Sequence, residues 1–420
     1  MPEIITHNDA HYAFDIVKTI CTEVGPGLPG SSQERERAAI IQKELESHLG
    51  AENVVVEEFT FAPGAFLGSL PLSALFVLTA ALLNIALGRF PGVSPWVTAS
   101  AALAFSSLSI WLVVSEFVLS LELVDPFFQK KQSINVIGTL RKPGTTTVKR
   151  VLMLSGHHDS ALENTWIRLL GYGFIIFSAI WSIGYIAMFA LSIIQLTGTI
   201  TGNADVVRIG TLGWGMLVFP IMPSVIYALF CNRGRKNGGT VPGAADNLSA
   251  SALTVALCRF LVKNPVYIPD DTEIRFISFG SEEAGLRGSR RYVARHLDEL
   301  KRLDARLLNF ETVAHPEITI LTSDVNNTVK NSPEMVKSVV AAAERAGVPY
   351  KVKPASFGVG CDSAPFSRAG LKAMTLLPFK VPQQMVAFYH QKRDTPEILT
   401  IDPLLNVLKL TFEWIRCGGE

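Results

Sequence analysis

The chain has 420 residues, enough for a full-sized core and a second compact unit. Its 38 Lys+Arg against 37 Asp+Glu leave a net charge of +1, which excludes the basic excess of a nucleic-acid binder. Charged residues make up only 18% and hydrophobic ones 48%, which excludes a disordered chain and points toward a membrane.

The opening MPEIITHNDAHYAFDIVKTI carries acids early and has neither a basic nor a long apolar stretch, so no cleavable signal peptide is expected. In SSQERERAAIIQKELESHLG, Ser31 stands three residues before Glu34, a capping box. Ala38, Ile41, Leu45 and Leu49 form one apolar stripe, and Gly50 closes the predicted helix. Four long runs then lack any charge: Phe59 to Gly88, Phe90 to Ser115, Leu169 to Ala204 and Ile209 to Asn232. About 20 apolar residues cross a bilayer as a helix, and every run is long enough. Buried core helices are the alternative, but these rarely run so long without a charge. GRFPGVSP joins the first pair and TGTITGNADVVR the second, so two helical hairpins are expected, at 65–121 and 166–230.

The remaining segments, 1–60, 129–162 and 237–420, read as one α/β domain. The runs NVVVEEF, INVIGTL, RVLMLSG, EIRFISFG, ARLLNFE, EITILTS and KAMTLLPF predict strands, and SASALTVALCRFLV and MVKSVVAAAERAG predict amphipathic helices. The expected fold is α/β, a mostly parallel sheet sandwiched by helices, with four transmembrane helices inserted as two hairpins. The five cysteines form no CxxC, so neither a disulfide framework nor a cysteine metal site is expected, and a reducing compartment fits.

Polar clusters stand where the predicted strands end. His157 and Asp159 in SGHHDS share a face of an extended end, and a metal-bound imidazole needs such a carboxylate on its other nitrogen. Alone, that pair is common on surfaces. Asp246 in VPGAADNLSASA reads by itself as a helix N-cap. Glu282 and Glu283 follow an apolar strand into Gly280; adjacent carboxylates there repel unless a cation is present, although a solvated acidic loop is the alternative. Glu311 ends an apolar run, and FYHQKRDTPE offers Tyr389, His390 and Asp394. Taken in order, His157, Asp246, Glu283, Glu311 and His390 all fall at carboxyl ends of strands or in adjoining loops. Two imidazoles and three carboxylates suit two zinc ions with one carboxylate bridging.

This pattern resembles the di-zinc exopeptidases of the bacterial leucyl aminopeptidase and glutamate carboxypeptidase type, whose relatives include glutaminyl cyclases and the inactive transferrin receptor and nicastrin ectodomains. The likeness covers about residues 1–58, 129–160 and 237–420. It is carried by GHHDS, PGAADN, GSEEAGLRGS, CDSAPF and YHQKRDT in family order, and by the opening EVGPGLPGSSQERERAAIIQKEL. The resemblance implies a peptide substrate and two zinc ions. It implies that His157 and Glu311 bind one ion, Glu283 and His390 the other, and Asp246 both. It implies that Asp159 orients His157, Glu282 is the general base, and Tyr389 stabilises the oxyanion. His158 and Glu311 depart from the usual tyrosine-like residue and aspartate, and neither removes a ligand, so an active enzyme is expected. A glutaminyl cyclase with one zinc and a metal-free receptor or scaffold are the competing readings.

The second predicted hairpin lies between His157 and Asp246, which can meet only if the chain between them crosses the bilayer an even number of times. Lys130, Lys131, Arg168, Arg233, Arg235 and Lys236 flank the α/β domain, against Arg89 and Arg208 at the hairpin tips. That asymmetry predicts a multi-pass membrane protein with its catalytic domain in the cytoplasm.

Overall fold

The structure, a computed structural model, describes residues 4–89, 91–207, 209, 211–230, 239–356 and 358–420. Arg208, Arg233, Arg235 and Lys236, used above for sidedness, lie outside the described residues. The chain divides into two compact units: Met1–Pro63, Gln129–Glu163 and Gly234–Glu420 form the first, Gly64–Phe128 and Asn164–Arg233 the second.

The first unit is a mixed α/β layer. Its strands are β1 Val54–Phe61, β2 Lys131–Arg141, β3 Arg150–His157, β4 Thr272–Phe279 and β5 Asp304–Phe310, then β6 Ile318–Leu321, β7 Ser323–Asp324, β8 Val329–Lys330, β9 Tyr350–Lys353 and β10 Lys372–Leu377. Eight of them make one sheet in the order β1-β2-β4-β3-β5-β10-β6-β9, and β7 with β8 forms a small ribbon. β4, β3, β5 and β10 run parallel, and β6 pairs parallel with β9. The sheet is mostly parallel as expected, and β1–β2, β2–β4 and β6–β10 are its antiparallel pairs. The link from β2 to β3 is too short for a parallel crossover, and the two strands run antiparallel with β4 between them.

Helices cover the sheet. Ser249–Lys263 packs against β3 and β4 and is buried along nearly its whole length, with Leu253, Ala256, Leu257 and Leu261 in the main core. On Ser32–Leu49, Ala38, Ile41 and Leu45 are buried as the stripe predicts. The capping box forms only in half. Ser31 accepts the N–H of Glu34 (3.1 Å), but the Glu34 side chain turns inward to accept from Gly30 N–H, Ser133 and Ser281 instead of closing on the cap. Three donors in the interior outcompete one backbone amide at the helix end.

The second unit holds four long helices, Ala65–Ile85, Pro95–Val113, Gly173–Thr201 and Thr211–Phe230. All four supply spans long and apolar enough to cross a membrane. The helix with Ser249–Lys263 passes the same length and composition measure, but it is buried in the first unit and is a core helix. The second unit is apolar on its outer faces, and its largely apolar interior, with Leu70, Val77, Trp181, Met188 and Leu217, also holds buried polar contacts. Ser73 meets Ser109 (3.0 Å) and the Tyr185 hydroxyl (3.2 Å), and Asn84 donates to Ser192 (3.0 Å), all buried. Leu82, Trp96, Ile186, Ile200 and Phe219 face outward and are exposed. The third apolar run is not one helix. Thr165–Leu170 is capped by Asn164, and Gly171, at φ 54°, ends it before Gly173 begins the long helix.

Candidate metal centre

Because β4, β3 and β5 are parallel neighbours, their carboxyl ends sit side by side. His157 is the last residue of β3. Ser281 to Glu283 follow β4, and Glu311 follows β5 directly. Asp246 comes from the turn entering the Ser249–Lys263 helix, and His390 from the loop after Gln383–Ala387. Ser281 (φ 56°), Thr312 (φ 44°) and His390 (φ 50°) hold left-handed backbone, a strained conformation found where a site fixes its ligands.

The structure brings all five expected ligands together. Asp246 Oδ1 lies 3.5 Å from His157 Nε2, and Asp246 Oδ2 lies 3.1 Å from His390 Nε2. Glu311 Oε1 is 3.7 Å from His157 Nε2, and Glu283 Oε1 is 3.2 Å from His390 Nε2. Donor atoms about 2.1 Å from a tetrahedral ion stand about 3.4 Å from one another, and these separations straddle that value. Two groups follow, His157–Asp246–Glu311 and Asp246–Glu283–His390, and they share Asp246. Glu282 Oε2 is 3.6 Å from His157 Nε2, and a third group joins His157, Glu282 and Glu283.

The electrostatics ask for cations. Burial pushes Glu311 up to about 8 and Glu282 well above the usual carboxylate range. Burial opposes the charge on His390, but Glu283 and Asp246 outweigh it and raise that imidazole to about 10. Four acids crowd two imidazoles in a buried volume. His157 Nε2, Asp246 Oδ2 and Glu283 Oε1 are buried without a hydrogen-bond partner among the described residues. Buried polar atoms are normally paired, and orphaned donors at ligand spacing fit divalent ions.

Supporting residues hold the ligands. Asp159 lies 3.3 Å from His157 Nδ1 and also accepts the N–H groups of Glu282 and Glu283 (3.0 Å each), so it fixes a second loop besides the imidazole. Tyr389 stacks on the His390 ring at 4.0 Å. His158 faces away from the centre: its Nδ1 meets Ser278 Oγ at 2.9 Å, and burial lowers it to about 4. Asp246 is no N-cap, since its carboxylate faces both imidazoles. Two further residues had no assigned role. Asp394 accepts the N–H of Ala245 (2.7 Å) and of Asp246 (3.1 Å). Asn247 Nδ2 donates to Glu311 Oε2 (3.2 Å), and its oxygen accepts from Thr312 N–H (3.0 Å). The run DN after PGAA and the D of YHQKRD were visible, but both act through backbone amides or a neighbouring ligand.

The chain is similar to known proteins. Residues 233–415 match the model of Peptidase family M28. Over 166 residues the chain is 31% identical to aminopeptidase YwaD of Bacillus subtilis; they cover 39% of this chain and only 35% of that relative. A solved zinc aminopeptidase from Bacillus subtilis superposes with a TM-score of 0.53 at 16% identity, covering 97% of this chain and 94% of its own. A glutaminyl cyclase from an Acidobacteriales bacterium superposes at 0.54 and 13% identity, covering 99% and 96%. At such identities the two structures share the fold of this chain.

Proposed function

We propose that the chain is a membrane-embedded, zinc-dependent exopeptidase of the M28 type, and an aminopeptidase rather than a carboxypeptidase. The observation that carries this is Asp246, whose two oxygens each face a different imidazole at ligand spacing. His157 and Glu311 would hold one ion, Glu283 and His390 the other, with Asp246 between them. Ions there supply Lewis acidity to a peptide carbonyl and acidify a water. Glu282 takes the proton of the attacking water and delivers it to the leaving amine, so hydrolysis returns the base to its starting state. Asp159 holds the Glu282 amide and the His157 ring together, which keeps base and ligand at fixed spacing. Tyr389, whose ring stacks on His390, would offer its hydroxyl to the oxyanion. The aminopeptidase preference rests on the likeness to aminopeptidase YwaD.

The second unit is the membrane part of this reading, as two hairpins at 65–121 and 166–230 inserted between the domain segments 1–60, 129–162 and 237–420. The apolar outward faces and the hydrogen bonds between helices in the interior support it. The positive residues around the α/β domain favour its cytoplasmic placement.

Metal analysis combined with a peptide-library digest read by mass spectrometry tests the function. Near two zinc ions per chain with release of N-terminal residues is expected. One zinc with cyclisation of N-terminal glutamine would make it a glutaminyl cyclase, a reading that the shared fold with solved cyclases keeps in view. No bound metal in the purified, folded chain would sink both enzymes.

A further inference from the structure

The Ser32–Leu49 helix carries two fully buried charged residues that the proposed chemistry leaves unused, Glu34 and Arg37. Three residues apart on a helix, they share a face, and both reach loops that bear the ligands. Arg37 Nη1 donates to the His158 carbonyl at 3.2 Å, and Nη2 to the Pro242 carbonyl at 2.6 Å. Its Nε and Nη2 also donate to the Gly25 carbonyl, at 2.8 and 2.5 Å. His158 stands between His157 and Asp159, and Pro242 leads into the turn that delivers Asp246. One guanidinium therefore ties the end of β3 to the loop of the bridging carboxylate.

Glu34 serves the third loop. Its Oε1 accepts from the Ser281 hydroxyl at 2.7 Å and from Ser133 at 2.9 Å, and its Oε2 accepts Gly30 N–H at 2.6 Å. Ser281 precedes Glu282 and holds the left-handed turn that starts the paired-glutamate loop. Glycines let these loops close on the helix. A Cβ on Gly27 would lie 2.6 Å from Arg37 Cδ, and one on Gly243, at φ 69°, would lie 2.7 Å from the Asp246 carbonyl oxygen. The segment before the helix is pinned too, since the Gly27 carbonyl accepts Ser160 N–H at 2.8 Å. Arg37 directs its fork of donors to loop carbonyls, the use its fixed geometry suits and a lysine cannot copy.

We propose that Glu34 and Arg37 are positioning residues that lock three ligand-bearing loops to one helix face, so that both metal positions are preformed. This rests on the metal-centre reading above. It predicts that metal affinity, and not only stability, depends on a helix that contributes no ligand. Residues supporting ligands from behind typically change metal affinity 10–100-fold.

The test is cobalt titration of the full-length, metal-stripped protein in detergent, read by visible absorption, for wild type, Arg37→Lys, Glu34→Gln and Ile41→Ala. Ile41 is buried on the same helix and makes only packing contacts with the core. Arg37→Lys is expected to weaken both positions at least tenfold and to change the cobalt spectrum. Glu34→Gln is expected to weaken chiefly the position that takes Glu283, and it carries the test alone if Arg37→Lys does not fold. Ile41→Ala should lower the melting temperature and leave cobalt affinity at the wild-type value. Wild-type affinity and spectrum in Glu34→Gln and in any folded Arg37→Lys would overturn the proposal. So would an equal loss in Ile41→Ala, which would reduce the effect to destabilisation. A wild-type chain that takes up no cobalt would overturn the metal-centre reading and this inference with it.

Discussion

Asp394 offers the most direct measure of how the backbone holds the bridging carboxylate. It contributes no ligand atom, yet its carboxylate accepts the N–H groups of Ala245 and Asp246 at 2.7 and 3.1 Å, both buried. Asp394→Ala leaves those two amides without acceptors. Each unsatisfied buried N–H costs about 1–3 kcal/mol, so the pair costs about 2–6 kcal/mol before the turn relaxes. Relaxation rotates Asp246 away from one or both imidazoles. If only the lower end, about 2 kcal/mol, falls on the metal-bound state, zinc affinity drops about 30-fold, at 1.4 kcal/mol per factor of ten. Asp394→Asn keeps one acceptor oxygen and should lose less, about tenfold or below. The assay is competition for zinc against a chromophoric chelator, with circular dichroism to show that each variant is folded. An Asp394→Ala protein that is folded and binds zinc like wild type would refute the claim that these two amide bonds set the Asp246 geometry.

Three further outcomes follow from the same contacts. Glu282→Gln should keep its zinc and lose about 10²-fold or more in kcat, as expected of a missing general base; near-wild-type turnover in the zinc-loaded variant would remove Glu282 from that role. Far from the centre, burial raises Asp304, but hydrogen bonds from Arg306 and Lys372 outweigh it and hold the carboxyl down to about 2. A folded value below the unfolded one, about 3.9, gives stability that is complete above about pH 4 and is lost as pH falls through about 2. Asp304 is partly exposed, so this is discounted to about 1 kcal/mol or less; Asp304→Asn should flatten the fall in melting temperature between pH 4 and 2, and an unchanged slope counts against it. For sidedness, in a background with the native cysteines replaced, Gly92→Cys should react with a membrane-impermeant thiol reagent on intact cells and Thr146→Cys should not. The reverse pattern would reject cytoplasmic catalysis.

The strands were legible in the sequence where both faces are buried. RVLMLSG holds an unbroken apolar run and EIRFISFG is rich in large apolar residues because β3 and β4 lie in the middle of the sheet and are buried along their length. β9, Tyr350–Lys353, was not legible, since it is a half-exposed edge whose YKVK pattern carries no run. The direction of β2 was readable only from its short link to β3, a constraint that run-by-run reading passes over. Side chains that point at the centre announced themselves as acids and imidazoles at strand ends. Asp394, Arg37 and Glu34 act on backbone amides, carbonyls and hydroxyls, which leave no residue-type signature at the other end of the bond, and Asn247 adds only one contact to a ligand besides its backbone bonds. The local rule makes Glu34 half of a capping box, and three interior donors override it.

The connections at the base of each insertion join the site to the membrane reading. Phe61 at the end of β1 pairs with Lys131 at the start of β2, so Gly64–Phe128 stands where a tight hairpin turn would close that ladder. After β3, Glu163 N–H donates to the Gly239 carbonyl at 2.6 Å and Leu162 bridges Thr240, so the second insertion also leaves and returns through paired backbone. Closure entropy grows slowly with loop length, so a sheet can carry a long insertion at such a point without changing register. The same closure restricts what the inserted helices can do. If they span a bilayer, each insertion must cross it an even number of times, because paired residues cannot stand on opposite sides of about 30 Å of hydrocarbon. Two long apolar helices in each insertion meet that requirement. His157 and Asp246 flank the second insertion in sequence and stand 3.5 Å apart. If the insertion spans a bilayer, an odd number of spans there would separate them, so the close approach of Asp246 to His157 and the count of spanning helices stand or fall together.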